Sequence, residues 1–439
     1  DAIINQLGVT IHYNTEVGKS IDFEEIIQNS DAVLLAVGAS KATPMGIEGE
    51  DLPGVFSGID LLEKLAKYEP VDIGKRVVVA GGGSTAMDAA RASVRLGAKA
   101  TVVYRRTKNE MPAHHAEVRD AYDEEVDIKV LTNPVKIEKT KQGLKITCIK
   151  MELSEPDESG RRRPIAIDGS EFEIEADSII MAIGQKTDFS FIKNKGVNKW
   201  GLFDTKGKTY QTVTDPKIFV AGDCYKGPDL AVRAVADARK AAQSINQFLK
   251  GEEVVGEEVR FSSYPGDLDT LPPEMFEAFT PRTRKEIDLL PVNKRAGNFD
   301  EVEQGFTKNE MTDEAKRCLE CGCNVVDICL LKKHSQAYRA DQNLYAGASR
   351  TYKTDYSHEK IKMETHKCIN CSACVRAVIE LKKCHILGNT GRGFSSRITP
   401  MINVPLGKTH CDGCEECVNV CPTAGVRINR DIYLTNSHG

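Results

Sequence analysis

Twelve of the fourteen cysteines follow residue 317, in spacings that suit metal–sulfur chemistry. The tightest group is Cys411-x2-Cys414-x2-Cys417-x3-Cys421, and Pro422 follows it directly. At this spacing three thiolates hold one [4Fe–4S] cluster, and the cysteine ahead of the proline binds the neighbouring cluster. A zinc ribbon would normally show two cysteine pairs separated by a longer loop. The spacing therefore predicts iron–sulfur clusters rather than zinc.

A second run, Cys368-x2-Cys371-x2-Cys374, repeats the first three positions of this pattern. Its expected fourth cysteine falls at Val378, whose side chain cannot bind a metal. Crossed ligation assigns the second run, together with Cys421, to one cluster. The other cluster is then left with three thiolates and needs a further ligand.

The nearest unassigned thiolate is Cys384, which completes a set of four with Cys411, Cys414 and Cys417. A helix carrying position 378 would have to end early and fold back for Cys384 to reach that cluster. The Lys382-Lys383 pair suits such a helix end, because cations are favourable near a helix C-terminus. The alternative is a three-iron cluster or a ligand other than cysteine.

A third group lies upstream, at Cys318-x2-Cys321-x-Cys323-x5-Cys329. Four cysteines within twelve residues of a reduced protein indicate a bound metal. We favour a further [4Fe–4S] cluster, with zinc as the alternative.

A glycine-rich turn lies in the first half of the chain, after the buried-strand pattern of residues 76–80. In Gly81-x-Gly83-x-x-Ala86 the first glycine permits a tight turn, the second lets the backbone approach a pyrophosphate, and the alanine allows close helix–strand packing. The following helix offers unpaired N–H groups to phosphates. The sequence therefore predicts a dinucleotide site at Gly81, Gly82, Gly83, Ser84, Thr85 and Ala86.

The next strand pattern, residues 100–104, ends at Arg105 and Arg106. An NAD site usually has Asp or Glu here, to accept hydrogen bonds from the ribose hydroxyls. Guanidinium groups instead suit a 2′-phosphate, because their planar donors pair with phosphate oxygens. We therefore expect NADP(H) rather than NAD(H).

A possible flavin half-site follows the strand pattern of residues 218–221, where the chain enters Gly222-Asp223. A carboxylate at the end of a parallel strand can accept a hydrogen bond from a ribityl hydroxyl. A long helix then begins near Asp229, Leu230 and Ala231, and its N-terminus can face a flavin ring.

Composition excludes several classes of function. The 59 basic and 64 acidic residues give a net charge of −5 and no basic footprint for nucleic acid or anionic lipid. No apolar run approaches the roughly 18 residues of a membrane-spanning helix. Only Cys148 and Cys224 precede residue 318, which argues against a disulfide scaffold. We expect a reduced, cytoplasmic protein.

The chain begins at Asp1 inside a predicted helix that leads to a strand at residues 9–13, so we also expect missing upstream sequence.

The order of the N-terminal motifs resembles glutamate synthase small-subunit-type flavoproteins. That family includes the large subunit of the NADH-dependent ferredoxin:NADP oxidoreductase and the flavin region of dihydropyrimidine dehydrogenase. The motifs are Ala36-Val-Gly38, Gly81–Ala86, Val103-Tyr-Arg-Arg106 with Glu110-Met-Pro112, Ala182-Ile-Gly-Gln185 and Val220-Ala-Gly-Asp223. The resemblance covers residues 1–250 and implies an FAD domain interrupted by an NADP(H) domain. It adds Gly38, Gly184 and Gln185 to the cofactor-binding residues.

Two departures from this family stand out. The first glycine fingerprint, which holds the FAD pyrophosphate in the family, lies upstream of the present sequence. Ala238 stands where the family usually has glycine.

Flavoprotein disulfide reductases share the two-nucleotide layout but need a cysteine pair beside the flavin, and between residues 76 and 184 this chain has Cys148 alone. That excludes a dithiol relay.

At the other end of the chain, the stretch from Gly391 through Pro405 resembles the two-cluster domain of hydrogenase, formate dehydrogenase and complex I large subunits. The predicted fold class is therefore α/β, with two interleaved Rossmann-like domains followed by a small α+β ferredoxin-like domain. The predicted divisions are 1–58 and 187–250 for FAD binding, 59–186 for NAD(P)H binding, 251–310 as a linker, 311–345 as a cysteine-rich segment and 346–439 for two [4Fe–4S] clusters.

These expectations combine into a subunit that passes electrons between NADPH, FAD and [4Fe–4S] clusters. The acceptor would be ferredoxin or a partner subunit, in a complex of the transhydrogenase, hydrogenase or formate dehydrogenase type. Hydride transfer needs no side-chain acid or base, so we assign no catalytic residue. The alternatives are a glutamate synthase small-subunit-like electron donor and a non-enzymatic electron-wiring subunit.

Overall fold

The structure is a computed structural model that describes residues 6–157, 160, 162–192, 196–198, 201–257, 269, 273–276, 281–319, 328–341, 344 and 354–429. The chain divides into two compact units. Unit 1 comprises Asp1–Glu257 and Asp288–Gln304, and unit 2 comprises Glu258–Ile287 and Gly305–Gly439. The finer division given above stays a prediction.

Unit 1 alternates strands with helices through most of its length. Its described strands are β1 (Val33–Leu35), β2 (Lys41–Ala42), β3 (Val55–Ser57), β4 (Arg76–Ala80), β5 (Lys99–Val103), β6 (Asp127–Lys129), β7 (Thr132–Thr140), β8 (Gly143–Pro156), β9 (Arg162–Ala166), β10 (Phe172–Ala176), β11 (Ser178–Met181), β12 (Gln185–Lys186) and β13 (Ile218–Val220). Its described helices are α1 (Phe23–Gln28), α2 (Gly58–Ala66), α3 (Ser84–Arg95), α4 (His115–Asp123), α5 (Asp223–Lys226) and α6 (Ala231–Leu249).

A five-stranded parallel sheet forms the centre of unit 1, in the order β3-β11-β4-β5-β6. Val77, Val78 and Val79 of β4 are almost completely buried, as expected for a parallel strand covered on both faces. Helices α2, α3 and α4 contribute to the apolar core on one face. Strands β7, β8 and β10, with β9 paired to β8, make an antiparallel sheet whose residues pack on the other. The parallel pairing of β4 with β5 through α3 confirms the predicted order of strand, glycine turn, helix and strand.

The flavin-side strands lie far apart in sequence but side by side in space. Strand β1 pairs in parallel with β13, with Val33 opposite Ile218. The two chain segments that lead into and out of the central sheet pair as a short antiparallel ribbon, β2 with β12. One Rossmann-like domain is thus inserted within another, which confirms the predicted interleaved fold.

Residues 288–304 contact the C-terminal end of α4, one of the helices that cover the central sheet. The Arg295 side chain is 4% exposed, and its Nη1 lies 3.3 Å from Glu124 Oε1. Glu124 also accepts two hydrogen bonds from Arg91, at 2.8 and 3.2 Å. Burial alone would raise the pKa of Glu124, but Arg91, Arg95 and Arg295 hold it below its ordinary value. This part of the predicted linker is therefore anchored through a buried charge cluster.

Unit 2 is built from short elements around a core rich in cysteine. Its described elements are α7 (Lys308–Ala315), α8 (Leu330–Ala337), β14 (Ile361–Met363), α9 (Ala373–Lys382), β15 (Leu387–Thr390), β16 (Arg397–Pro400), α10 (Glu416–Asn419) and β17 (Val426–Ile428). Strands β14 and β17 pair antiparallel, as do β15 and β16. Cys374 and Cys417 are buried in the core with Met363 and Val426.

The structure tests two further expectations, a strand at residues 9–13 and the absence of a membrane-spanning helix. The strand expected at residues 9–13 is wrong: Val9, Ile11 and Tyr13 are all exposed and pair with no described strand. Their alternation of apolar and polar residues is not sufficient without a neighbouring edge to bond. Among the described helices, none is long and apolar enough to span a membrane.

Candidate functional site

The glycine turn joins β4 to α3 at the centre of the parallel sheet. Gly81 has a φ of +149°, and a Cβ there would lie 2.2 Å from the Ala182 carbonyl oxygen. A Cβ at Gly82 would lie 2.5 Å from the Tyr104 ring. Both positions therefore require glycine. Gly83 is the N-cap of α3 without a side-chain cap, and Ala86 N–H donates to the Gly83 carbonyl at 2.9 Å, so the N–H groups of Ser84 and Thr85 remain available to a ligand.

A cleft of about 490 Å³ opens beside this turn. Its volume lies within the range of ligand pockets, roughly 300–1,000 Å³. Eight of the predicted cofactor-binding residues line it: Gly81, Gly82, Gly83, Thr85, Arg105, Arg106, Gly184 and Gln185. Ser84 and Ala86 belong to the same turn of α3 but do not line the cleft, and Ala86 is completely buried against the sheet.

One end of the cleft carries the two arginines. Arg105 is exposed, whereas Arg106 is half-buried and its Nε is buried without a hydrogen-bond partner among the described atoms. A buried guanidinium N–H without a partner is costly unless a ligand accepts it. The Arg106 carbonyl accepts a hydrogen bond from Leu131 N–H at 3.0 Å, which holds the loop in place. This end therefore fits a ligand that carries an anionic group.

The opposite end of the cleft lies beyond β11, at Gly184 and Gln185. Gln185 Nε2 donates a hydrogen bond to Thr85 Oγ1 at 3.3 Å, which ties the end of β11 to the first turn of α3. Gly184 has a φ of +148°. The cleft thus runs across the carboxyl ends of β5, β4 and β11, where open α/β sheets bind their ligands.

The flavin-side residues form a separate group. Gly38 and Gly222, both with positive φ, follow the adjacent carboxyl ends of β1 and β13. Asp223 Oδ1 accepts a hydrogen bond from Asp229 N–H at 3.3 Å. Asp229 lies just before α6, and its Oδ1 accepts a hydrogen bond from Leu230 N–H at 2.7 Å. This bond lowers the pKa of the Asp229 carboxyl group. Gly38, Gly222, Asp223, Asp229, Leu230 and Ala231 do not line the 490 Å³ cleft.

The two cysteines of unit 1 are buried. Burial raises the pKa of the Cys148 thiol to about 12. The Cys224 thiol donates toward the carbonyls of Leu35 and Ala221, both at 3.2 Å, and burial raises its pKa too. Both therefore act as small apolar side chains, in agreement with the exclusion of a dithiol relay.

Unit 2 contains two small cavities, each walled by four cysteines. The first is lined by Cys368, Cys371, Cys374 and Cys421, and the second by Cys384, Cys411, Cys414 and Cys417. These are the two sets that crossed ligation predicts. Met363 and Val426 line both cavities, so a single layer of side chains forms a shared wall.

Cys384 reaches the second cavity because α9 ends before it. The helix stops at Lys382, and Lys383 adopts a left-handed conformation with a φ of 54°. Cys384 N–H then donates to the Val378 carbonyl at 3.2 Å, so the chain reverses toward the core. The predicted early helix end and reversal are present.

The upstream cysteine group is described in part. Cys318 is exposed, and Cys329 is half-buried at the start of α8. Cys321 and Cys323 lie outside the described residues. Leu331 N–H donates to the Pro422 carbonyl at 3.2 Å, which brings α8 beside Cys421. Within the described ranges, no three His, Cys, Asp or Glu side chains are arranged to hold a single metal ion.

Comparison with known families agrees with this geometry. Residues 3–238 match the family described as pyridine nucleotide-disulphide oxidoreductase, which is more than half of the chain. The chain belongs to this family. Membership confirms the expected Rossmann-type fold and oxidoreductase class, and it supports the expectation of FAD and NADP(H). The family's name refers to disulphides, but the cysteine pair that disulphide chemistry requires is missing between residues 76 and 184.

Three curated relatives extend the comparison. NADPH-Fe(3+) oxidoreductase subunit beta of Geobacter sulfurreducens is 38% identical over 351 residues, 73% of this chain and 52% of its own length. NADP(+)-dependent formate dehydrogenase subunit beta of Moorella thermoacetica is 38% identical over 332 residues, 72% of this chain and 46% of its own. The glutamate synthase (NADPH) small chain of Escherichia coli is 38% identical over 273 residues, 56% of this chain and 57% of its own.

These similarities confirm the resemblance to glutamate synthase small-subunit-type flavoproteins. The chain spans about half the length of the relatives it matches.

Sequence reasoning missed part of the cleft wall. Further lining residues are Ala42, Met45, Ile47, Ile59, Pro112, Thr132, Asn133, Pro134, Ile183 and Pro228. Pro112 and Ile183 belong to motifs that the sequence did single out, Glu110-Met-Pro112 and Ala182-Ile-Gly-Gln185. The others come from segments distant in sequence and carry no local signal. Pro112 is held over the turn because Ala113 N–H donates to the Gly82 carbonyl at 3.1 Å.

Proposed function

We propose that this chain is the nucleotide-oxidising and electron-distributing part of a multisubunit oxidoreductase. In this function NADPH and FAD exchange a hydride, and [4Fe–4S] clusters carry single electrons to ferredoxin or a partner subunit. The single observation that carries the proposal is the pair of four-cysteine cavities in the same chain as a dinucleotide cleft.

The cavities fit iron–sulfur clusters by the arrangement of their donors. In a four-iron cubane each thiolate binds a different iron, so the ligands surround the cluster instead of converging on one ion. Cys374 and Cys417 are buried, and burial raises the pKa of each thiol to about 12. Such thiols deprotonate when a metal takes the place of the proton. We propose Cys368, Cys371, Cys374 and Cys421 as one ligand set and Cys384, Cys411, Cys414 and Cys417 as the other.

The cleft residues would bind and orient NADP(H). The N–H groups of the first turn of α3 would hold the pyrophosphate, and Arg106 with Arg105 would hold the 2′-phosphate. Gly184 and Gln185 lie at the nicotinamide end. On the flavin side, Asp223 and the N-terminus of α6 are the proposed contacts of FAD, with Gly38 and Gly222 allowing close approach. When bound, the flavin supplies the conversion between two-electron and one-electron chemistry.

The upstream cysteine group is the proposed site of a third cluster. Cys318, Cys321, Cys323 and Cys329 would hold it, with zinc as the alternative. The Leu331–Pro422 hydrogen bond supports a position beside the cluster that Cys421 helps to hold. A ferredoxin-like domain at residues 346–439 and a role in the cytoplasm belong to the same proposal.

The length of the matches favours an iron–sulfur subunit over a glutamate synthase-like donor. The Geobacter relative matches over 351 residues, whereas the glutamate synthase small chain matches over 273. The longer match reaches beyond the nucleotide-binding part of the chain. The glutamate synthase-like donor therefore remains the second candidate.

The test is anaerobic purification of the full-length protein with its native partners, followed by flavin and iron analysis and titration with NADPH. Bleaching of the flavin spectrum and the appearance of reduced-cluster EPR signals are the expected results. Cys371→Ser and Cys414→Ser should each remove one signal, while Cys148→Ala serves as the matched control and should remove none. Bound flavin and clusters that NADPH does not reduce would leave only an electron-wiring role.

A further inference from the structure

The cleft has a direction that follows from the order of the strands. Arg105 and Arg106 follow β5, on one side of the glycine strand β4, and Gly184 follows β11 on the other side. If the 2′-phosphate lies at the arginines, the adenosine half of the nucleotide occupies the β5 side. The 2′-carbon of that ribose is bonded to the carbon that carries the base. The wall next to the arginines must therefore face adenine.

That wall is the start of β7. Leu131 N–H donates to the Arg106 carbonyl at 3.0 Å, and Thr132 N–H donates to the Tyr104 carbonyl at 2.9 Å. Leu131 has a positive φ of 49°, so the chain turns sharply as it enters β7. A break in register follows between Pro134 and Lys136. Bulges of this kind redirect side chains beside binding sites. Asn133 thus stands fixed beside the arginine loop and lines the cleft.

Most polar side chains at this end are already engaged. The Tyr104 hydroxyl donates to the Glu110 carbonyl at 2.7 Å, and the Thr132 hydroxyl donates to the Val130 carbonyl at 3.0 Å. Asn133 Nδ2 donates to the Pro134 carbonyl at 3.1 Å. This bond uses one of its two N–H groups, so the second N–H and the Oδ1 acceptor can still serve a ligand. Around it, Pro134, Met45 and Ile47 supply apolar surface suited to a flat base.

We propose that Asn133 determines base specificity by recognising the adenine of NADP(H). A carboxamide matches the edge of adenine because its oxygen accepts from the 6-amino group and its N–H donates to N7. Hypoxanthine carries an oxygen at position 6, which would face Oδ1 with no hydrogen between them. The inference rests on the proposed function, since it takes the nucleotide to be NADP(H). Asn133 would then recognise the adenine base, as the first turn of α3 recognises the pyrophosphate and the two arginines recognise the 2′-phosphate.

The test compares the dissociation constants of NADP⁺ and its hypoxanthine analogue, measured by calorimetry on the full-length protein. The unaltered protein should bind NADP⁺ more tightly by roughly tenfold. Asn133→Leu and Asn133→Ala should lose this preference, chiefly by weakening NADP⁺ binding. Asn109→Leu is the matched control, because Asn109 is exposed and does not line the cleft. It should keep the full preference.

Each outcome has a distinct meaning. Equal binding of both nucleotides by the unaltered protein, or an unchanged preference in both Asn133 variants, would overturn the role of Asn133 and leave the proposed function standing. Failure of the unaltered protein to bind either nucleotide would contradict the proposed function instead. Thermal unfolding of the Asn133 variants checks that the hydrogen bond from the Asn133 side chain to the Pro134 carbonyl is not needed for folding.

Discussion

The two arginines beyond β5 should contribute unequally to the choice of NADP(H), because they differ in burial. Arg106 is half-buried, and its Nε is buried without a partner among the described atoms. A charge-assisted hydrogen bond in such a setting contributes about 1.5–3 kcal/mol, or roughly 10- to 150-fold in affinity. Arg105 is exposed, where solvent screens the interaction to about 0–1 kcal/mol, at most roughly fivefold.

Arg106→Ser should therefore weaken NADP⁺ binding roughly 10- to 150-fold and Arg105→Ser at most about fivefold. Neither should change the dissociation constant of NAD⁺ appreciably, because NAD⁺ lacks the 2′-phosphate. The hydrogen bond from Leu131 to residue 106 uses the backbone carbonyl and survives the substitution. Arg119→Ser removes an exposed arginine of α4 and serves as the matched control. Calorimetric titration of both nucleotides gives the constants directly.

Two results would refute this reasoning. If Arg105→Ser weakens NADP⁺ binding as much as Arg106→Ser, then burial does not set the energetic weight of the two side chains. If both variants lose NAD⁺ and NADP⁺ to the same extent, then the arginines do not recognise the 2′-phosphate at all.

Three further predictions concern the clusters and the buried charges. Cys384→Ser should alter the EPR signal of one cluster and leave that of the Cys368 set intact; two unaltered signals would make Cys384 a bystander. Iron analysis should give about twelve irons per chain, four for each of three cubanes, and a value near eight or stoichiometric zinc would remove the Cys318 group from the list of clusters. Glu124→Gln should destabilise the protein by about 3–5 kcal/mol near neutral pH, because Arg91, Arg95 and Arg295 lose the carboxylate that they share, while Asp120 still faces Arg91 at 3.6 Å. Since the folded-state pKa of Glu124 is lowered, this stabilisation exists above the ordinary glutamate pKa and is lost as the pH falls through the folded value. Denaturation followed as the pH is lowered from 7 should thus show the stability difference between variant and parent narrowing, and a constant difference would contradict this origin.

The sequence specified the central sheet closely because the signals there are local. The valine run of β4, the glycine turn and the alanine-rich α3 each carry their own pattern, and the observed bounds agree with the predicted ones within one or two residues. The reversal after α9 was also predictable. The three thiolates assigned to one cluster required a fourth ligand, and that requirement restricted where Cys384 could lie.

Features that depend on contacts between segments distant in the chain could not be predicted from the sequence. Asn133 occupies an ordinary position in an antiparallel strand, and only the pairing of β7 with the arginine loop brings it to the cleft. The approach of Arg295 to Glu124 joins residues 171 apart, and neither one belongs to a motif. The prediction of a strand at residues 9–13 was wrong because an alternating pattern favours a strand but does not ensure that a neighbouring strand is present to pair with it.

The ribbon of β2 and β12 has a consequence for the order of folding. The pairing of β1 with β13 must close a long loop, as the separation of 189 positions between Leu35 and Cys224 illustrates. Once the inserted domain has folded, the ribbon holds its two ends together, and the loop that remains is about a quarter as long. Because closure entropy grows with the logarithm of loop length, two halvings save roughly 1.2 kcal/mol. The inserted domain should therefore fold first and act as a template on which the discontinuous flavin-side sheet assembles.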